Sequence, residues 1–196
     1  MACGCASELV RHDRCVVRHY PAVLPEAEAT EAFHTLKQLP WRRETDDFGL
    51  QSRETLYVGD PGCDFAYVGL RLRPRRWPAI VSRLRSRVAA ALDCDEALLS
   101  GCLLNNYPSG NGCIPWHWDE VRAHGEARIV ATLSFGGPRV FRMRRRGSHD
   151  ELVEVELAAG SVLVMMGETQ AQYYPRPLAS WARPTPALAV VGSLRA

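Results

Sequence analysis

Residues 128–144 read RIVATLSFGGPRVFRMR. The two halves, Arg128–Phe135 and Arg139–Arg144, are rich in β-branched and aromatic residues, and Gly136-Gly137-Pro138 separates them. That pattern is a strand, a turn and a strand. The same grammar recurs on both sides. Ser100–Tyr107, Leu152–Leu157, Ser161–Met165 and Leu188–Leu194 are short apolar runs, parted by Pro108-Ser109-Gly110-Asn111-Gly112, Arg146-Gly147-Ser148 and Ala159-Gly160. Many short strands with glycine and proline turns indicate a sandwich or a barrel.

Before residue 98 the pattern changes. Pro25–Leu39 is rich in Ala and Glu, with Phe33, Leu36 and Leu39 spaced for one helical face, and Pro40 ends it. Trp77–Leu92 is the strongest helix. Ile80, Leu84, Val88, Ala91 and Leu92 form its buried stripe, and Arg83, Arg85 and Arg87 a solvated flank. Cys15–Tyr20, Thr55–Val58 and Phe65–Leu72 read as strands, the last two joined through Gly59-Asp60-Pro61-Gly62. These are too few for a second core. The expectation is one α+β domain, mainly β. Residues 1–24 form a tail and first strand, 25–98 the packing helices, and 99–196 the β core.

Composition agrees. The chain has 196 residues, 46% hydrophobic and 23% charged, enough to bury a core. No apolar run approaches the ~20 residues of a membrane span. The start, MACGCASELVRHDRC, has no apolar stretch of the secretory kind. Seven cysteines without a C-x-x-C pair argue against a zinc ribbon or a thioredoxin motif. Reduced thiols and an intracellular setting, cytoplasmic or nuclear, are expected. Lys37 is the single lysine among 24 basic residues, and net charge is only +2. Any nucleic-acid contact must therefore come from a local patch. The densest is Arg142, Arg144, Arg145 and Arg146, with Arg139 just before. Alternation puts Arg142 and Arg144 on one strand face, opposite Met143. A solvated hairpin and a phosphate contact both fit this run.

The chemistry-bearing segment is Asn105-Asn106-Tyr107-Pro108 followed by Trp116-His117-Trp118-Asp119-Glu120. His117 and Asp119 are two apart, so on a strand both side chains reach one ion. An imidazole and a carboxylate so placed, with a second imidazole from elsewhere, make the facial triad of non-haem Fe(II) oxygenases. A buried hydrogen-bonded pair is the plainer alternative. On the same strand Trp116 and Trp118 face away from His117, into core packing.

The order of segments is more specific than any one of them. Asn105-x-Tyr107 and His117-x-Asp119 are followed by Leu133–Arg144, then Gly160-Ser161-Val162-Leu163-Val164-Met165-Met166-Gly167, then Thr169-Gln170-Ala171. Over roughly residues 40–195 the chain resembles the AlkB family of Fe(II)/2-oxoglutarate dioxygenases. The resemblance implies a double-stranded β-helix (jelly roll) with N-terminal helices and a nucleotide-recognition lid. It also implies oxidative removal of alkyl groups from the bases of DNA or RNA, as in DNA repair. By resemblance, His117 and Asp119 bind Fe(II), and Asn105, Tyr107 and Arg195 hold 2-oxoglutarate. Glu54–Tyr67 forms the lid, with Tyr57 and Tyr67 stacking on a base. In the phosphate-contact reading of the basic run, Arg142, Arg144 and Arg145 are the contacts. The expected partner is alkylated nucleic acid, and the expected state a monomer.

Three positions depart from the family pattern. Pro175 stands where the second iron histidine belongs, and Ala189 where the first arginine of the C-terminal Arg-x5-Arg motif belongs. The base-recognising acid two residues past Asp119 is replaced by Val121, with Glu120 one position early. Tyr173, Tyr174, Glu168 or Gln172 are candidate replacement ligands, and Arg176 or Arg183 candidate replacement cations. Two rival readings follow: a domain that binds nucleic acid or protein without catalysis, and a dioxygenase for another substrate with a rebuilt ligand set.

Overall fold

The computed structural model describes residues 6–193 apart from 13, 47–48, 68–69, 110–111, 113, 115, 118–128, 149–150 and 178–185. Hairpin β1 (Ser7–His12) and β2 (Cys15–Tyr20) comes first. Helix α1 (Glu26–Lys37) carries Glu26 and Glu28 in its first turn and Lys37 in its last, which suits the helix dipole. Then come the two-residue strands β3 (Thr45–Asp46) and β4 (Gly49–Leu50), and β5 (Glu54–Gly59). Hairpin β6 (Phe65–Tyr67) and β7 (Leu70–Leu72) leads to α2 (Ala79–Leu92). A 3₁₀ turn at Glu96–Leu98 opens β8 (Gly101–Tyr107). The rest is β9 (Ile129–Gly136), β10 (Arg139–Arg145), β11 (Glu151–Leu157), β12 (Val162–Gly167), the one-turn α3 (Thr169–Gln172), β13 (Tyr173–Pro177) and β14 (Ala187–Ser193).

Seven strands form one antiparallel sheet in the order β1-β2-β12-β9-β14-β8-β5, and β11-β10-β13 form a second. Alternation along the strands sorts the side chains. Leu104, Leu133, Val164 and Val190 face the helices and meet Leu36 of α1 and Leu84 of α2. Val17, Val130, Leu163 and Met165 face the other way and pack on Phe141, Met143 and Val153 of the small sheet. The result is a jelly-roll sandwich with helices on the outer face of the large sheet. Each large side chain fully buried here contributes roughly 1.5–3 kcal/mol. Among the described residues no helix is long and apolar enough to cross a membrane.

Several expected elements change. β1 lies in the expected tail. Its register shifts by a residue between Glu8 and Val10, so the alternation that marks a strand is broken. The expected strand Phe65–Leu72 is a hairpin, with Tyr67 opposite Leu70. The expected lid divides. Glu54–Gly59 is the edge strand of the large sheet, paired with β8, whereas Phe65–Tyr67 pairs with β7 in a separate two-stranded ladder. β13 was not expected because it contains Pro175 and Pro177. It pairs only with β10, at the edge of the small sheet, where proline is tolerated.

Gly136, at the end of β9, has φ +76°. A β-carbon there would stand 2.6 Å from the Pro186 carbonyl oxygen and 2.8 Å from the Phe33 ring of α1. Gly136→Ala is therefore expected to lower stability by about 2 kcal/mol or more, read as a lower urea midpoint at unchanged slope. A midpoint equal to the parent's would contradict this account of the turn.

Candidate active site

Between the two sheets lies a cavity of about 100 Å³. Its walls bring together Asn105, Tyr107, His117, Pro175 and Ala189, which the sequence had singled out across 85 positions of chain. Strand alternation explains the meeting. Leu103, Asn105 and Tyr107 of β8 all line the cavity, whereas Cys102 and Leu104 pack toward the helices. Ala189 on β14 lies opposite Asn105 on one side and Ser134 on the other. Asn106, one position out of phase, faces away and bonds Glu54 (2.6 Å) and Lys37 (3.2 Å).

The cavity is mostly apolar, yet two arginines enter it. Arg53 and Arg139 are 4% and 6% exposed. Arg53 Nε donates to Asn105 Oδ1 at 2.8 Å. That bond occupies the amide oxygen and leaves the Asn105 –NH₂ as the group offered to the cavity. The Arg139 guanidinium lies 4.1 Å above the Tyr107 ring and donates to the Gly112 carbonyl. A planar cation over an aromatic face is attracted by the negative face of the ring. Two guanidinium groups at the wall of an apolar cavity set up a positive field that is weakly screened there, which suits an anion.

His117 lines this cavity, but it is not on a regular strand. The chain bends at Trp116, and His117 N–H reaches the Pro175 carbonyl at 3.4 Å. The strand argument for a shared His117 and Asp119 face is thus replaced by a loop held against β13. Asp119 itself lies outside the described residues, as do Trp118, Glu120, Val121, Arg183 and Arg195. Trp116 is half-buried beneath the Arg144 guanidinium, at 4.5 Å, instead of within the core. Among the described residues no group of three or more His, Cys, Asp and Glu side chains could hold a metal. Of the candidate replacement ligands, Tyr173 is buried with the Met143 cluster, and Tyr174 lies beneath Arg144 and Arg146.

The nucleic-acid candidates are placed unevenly. Tyr57 is buried on β5. Its hydroxyl donates to the Cys63 carbonyl at 2.6 Å, and its ring forms a cavity wall beside Phe65. It is a wall residue, not part of a projecting lid. The Tyr67 backbone lies in β6, and its side chain is outside the description. Arg142 is ion-paired to Glu154 at 2.7 Å across β10 and β11. Arg144 is half-buried against Trp116 and Tyr174, and Arg145 is exposed.

Sequence reasoning missed two cavity residues. Arg53 sits in a polar stretch, and nothing in its neighbours marks it as inward. Arg139 was grouped with the surface arginines, although alternation already put it on the face of Phe141 and Met143. The thiol of Cys102, on the helix side of β8, is fully buried, which raises its pKa and makes it a packing residue.

Comparison with known proteins agrees with this architecture. In solved structures the chain superposes on OsALKBH1 with a TM-score of 0.64 at 14% identity, covering 97% of this chain and all of that one. It superposes on a Pseudomonas putida prolyl-4-hydroxylase with a TM-score of 0.59 at 16% identity, covering 92% of each. In sequence it is 27% identical over 170 residues to human alpha-ketoglutarate-dependent dioxygenase alkB homolog 3, spanning 80% of this chain and 58% of that protein. It is 29% identical over 175 residues to the bovine DNA oxidative demethylase ALKBH2, spanning 79% and 60%. The chain thus matches rather more than half the length of these relatives. The family model of the 2OG-Fe(II) oxygenase superfamily matches residues 16–181, and with these relatives it establishes that the chain belongs to that superfamily as an AlkB-like member.

Proposed function

We propose that the chain is an oxidative demethylase of alkylated bases in DNA or RNA, using Fe(II) and 2-oxoglutarate. The observation that carries it is the gathering of His117, Asn105 and Tyr107 in one cavity with two buried guanidinium groups. The names of its relatives, dioxygenases and demethylases, favour this reading over a domain that only binds.

The described donors fit the cosubstrate. Arg139 offers a planar N–H fork to a carboxylate, and the Tyr107 ring keeps that fork flat and in place. Asn105, oriented by Arg53, offers its amide N–H to a carbonyl or carboxylate oxygen. In this reading Arg139 does the work expected of the arginine that Ala189 replaces. Leu103, Val130, Phe141 and Met165 keep water from the same space. Toward iron the described residues supply the His117 imidazole, and Asp119 is the proposed second ligand. Pro175 has no side-chain donor. When bound, iron with 2-oxoglutarate and O₂ supplies the oxidation of an N-alkyl carbon, after which the base loses formaldehyde. Tyr67, Arg144 and Arg145 remain the proposed contacts to the nucleic acid.

Anaerobic titration of the metal-free chain with Fe(II) and 2-oxoglutarate is expected to give a saturable visible charge-transfer band. His117→Ala should abolish both the band and formaldehyde release from a methylated oligonucleotide. A folded parent chain that gives neither signal would defeat the proposal. Arg139→Met is expected to weaken 2-oxoglutarate binding by roughly tenfold to a hundredfold, the effect of losing a charged hydrogen bond of about 1.5–3 kcal/mol. Calorimetry reads that affinity directly. An unchanged value would exclude Arg139 as the carboxylate partner.

A further inference from the structure

Many of the surface arginines are ion-paired: Arg11 and Arg18 with Glu8, Arg14 with Glu168, Arg83 with Glu31, Arg85 with Asp60 and Glu96, Arg87 with Glu28, Arg142 with Glu154. Arg42, Arg71, Arg73 and Arg75 behave differently. They share one polar cleft of about 190 Å³, and all four are exposed. Among the described residues none of them lies within ion-pair distance of a carboxylate, although Glu44 is in the same cleft. Arg43 and Arg76, next to them in sequence, are exposed as well.

The cleft is built, not incidental. Exposure alternates from Arg71 to Arg75, with Leu72 and Pro74 half-buried between the arginines. The three guanidinium groups therefore project to one side at a repeat of roughly 7 Å, two residues of extended chain. Both walls are fastened to β5. Arg42 N–H donates to the Thr55 carbonyl at 3.1 Å, and Thr55 N–H returns to Arg42 at 2.6 Å. Arg75 N–H donates to the Tyr57 carbonyl at 3.1 Å, and Gly59 N–H returns to Arg75 at 3.0 Å. β5 is also a wall of the central cavity, through the Tyr57 ring.

A fold that fixes several like charges in a row without internal counterions leaves their field for an external anion. Guanidinium forks match phosphate oxygens. An evenly spaced row along an extended line matches a polymer with regularly spaced phosphates better than a single small anion. We propose that this cleft binds the phosphodiester backbone of the nucleic-acid strand whose base enters the cavity. The inference rests on the proposed nucleic-acid substrate. It concerns residues distinct from the Arg142–Arg145 run and needs neither iron nor 2-oxoglutarate.

The test uses the whole chain, without metal or cosubstrate, and a fluorescent unmethylated single-stranded oligonucleotide read by anisotropy over a range of salt. Replacing Arg71, Arg73 and Arg75 together by Gln should flatten the slope of log K against log salt by about 2, at ~0.7 per phosphate contact. At about 0.1 M salt that is roughly a hundredfold loss of affinity. The melting midpoint should hold, because all three side chains are exposed. The Lys triple variant should keep the slope, and Arg73→Gln alone should remove about 0.7 of it. Arg11→Gln with Arg14→Gln, on the ion-paired edge, should change nothing. A Gln triple variant with the parent's slope and affinity would overturn the proposal. So would displacement of the oligonucleotide by inorganic phosphate or polyglutamate at equal charge concentration, or a parent chain that binds no oligonucleotide at low salt. Demethylation by a parent whose binding ignores the triple substitution would overturn this inference alone. The expected salt effect without demethylation would support it and leave the proposed activity as the part that failed.

Discussion

β14 hydrogen-bonds to β8 on one side and β9 on the other, with Ala189 opposite both Asn105 and Ser134. Because side chains alternate with a period of two, this register decides which residues reach the cavity. A slip of one position would turn Asn105 and Tyr107 toward the helices and bring Leu104 and Asn106 inward. Both errors are expensive. Leu104 would leave a packed cluster in which it is 0% exposed, and Asn106 would lose Glu54 and Lys37. The apolar contacts of the helices with the large sheet thus fix the polar geometry on its other face. Stability and site geometry have a common cause.

The same register explains how two cations persist in a mostly apolar space. A buried guanidinium that lost its acceptors would be strongly unfavourable. Arg53 meets the Asn105 amide oxygen, and Arg139 meets an aromatic face and the Gly112 carbonyl. An amide oxygen, a carbonyl and an aromatic face thus hold two guanidinium groups at the cavity wall.

Much of this was legible in the sequence, for particular reasons. The strand–turn–strand of residues 128–144, the two helices and the strands around Asn105 and Ala189 follow from periodicity and turn residues. The ordered motifs carried the family resemblance, and the superfamily match covers most of the same chain. What failed was whatever depends on pairing. β1 hides behind a bulge, and β13 behind two prolines that an edge strand accepts. Tyr57 was assigned to a lid, but pairing of β5 with β8 makes it a wall. His117 was assigned the right neighbourhood by the wrong element, since a loop and not a strand holds it against Pro175. Arg53 had no local signal at all, because its partner Asn105 is 52 residues away.

β5 joins these observations. One edge pairs with β8, which carries Asn105 and Tyr107, and the other receives the Arg42 and Arg75 segments. An edge strand normally risks pairing with another chain. Here two arginine-bearing segments occupy part of that edge, and their like charges repel a neighbouring copy. A single strand thereby separates an apolar cavity holding inward guanidinium groups from a polar cleft holding outward ones. A nucleotide is divided in the same way, into a flat base that suits the first environment and a phosphate that suits the second. The distance between them is bridged by one strand whose position is fixed on both edges, so a ligand that satisfied both would be aligned by the scaffold and not by mobile loops.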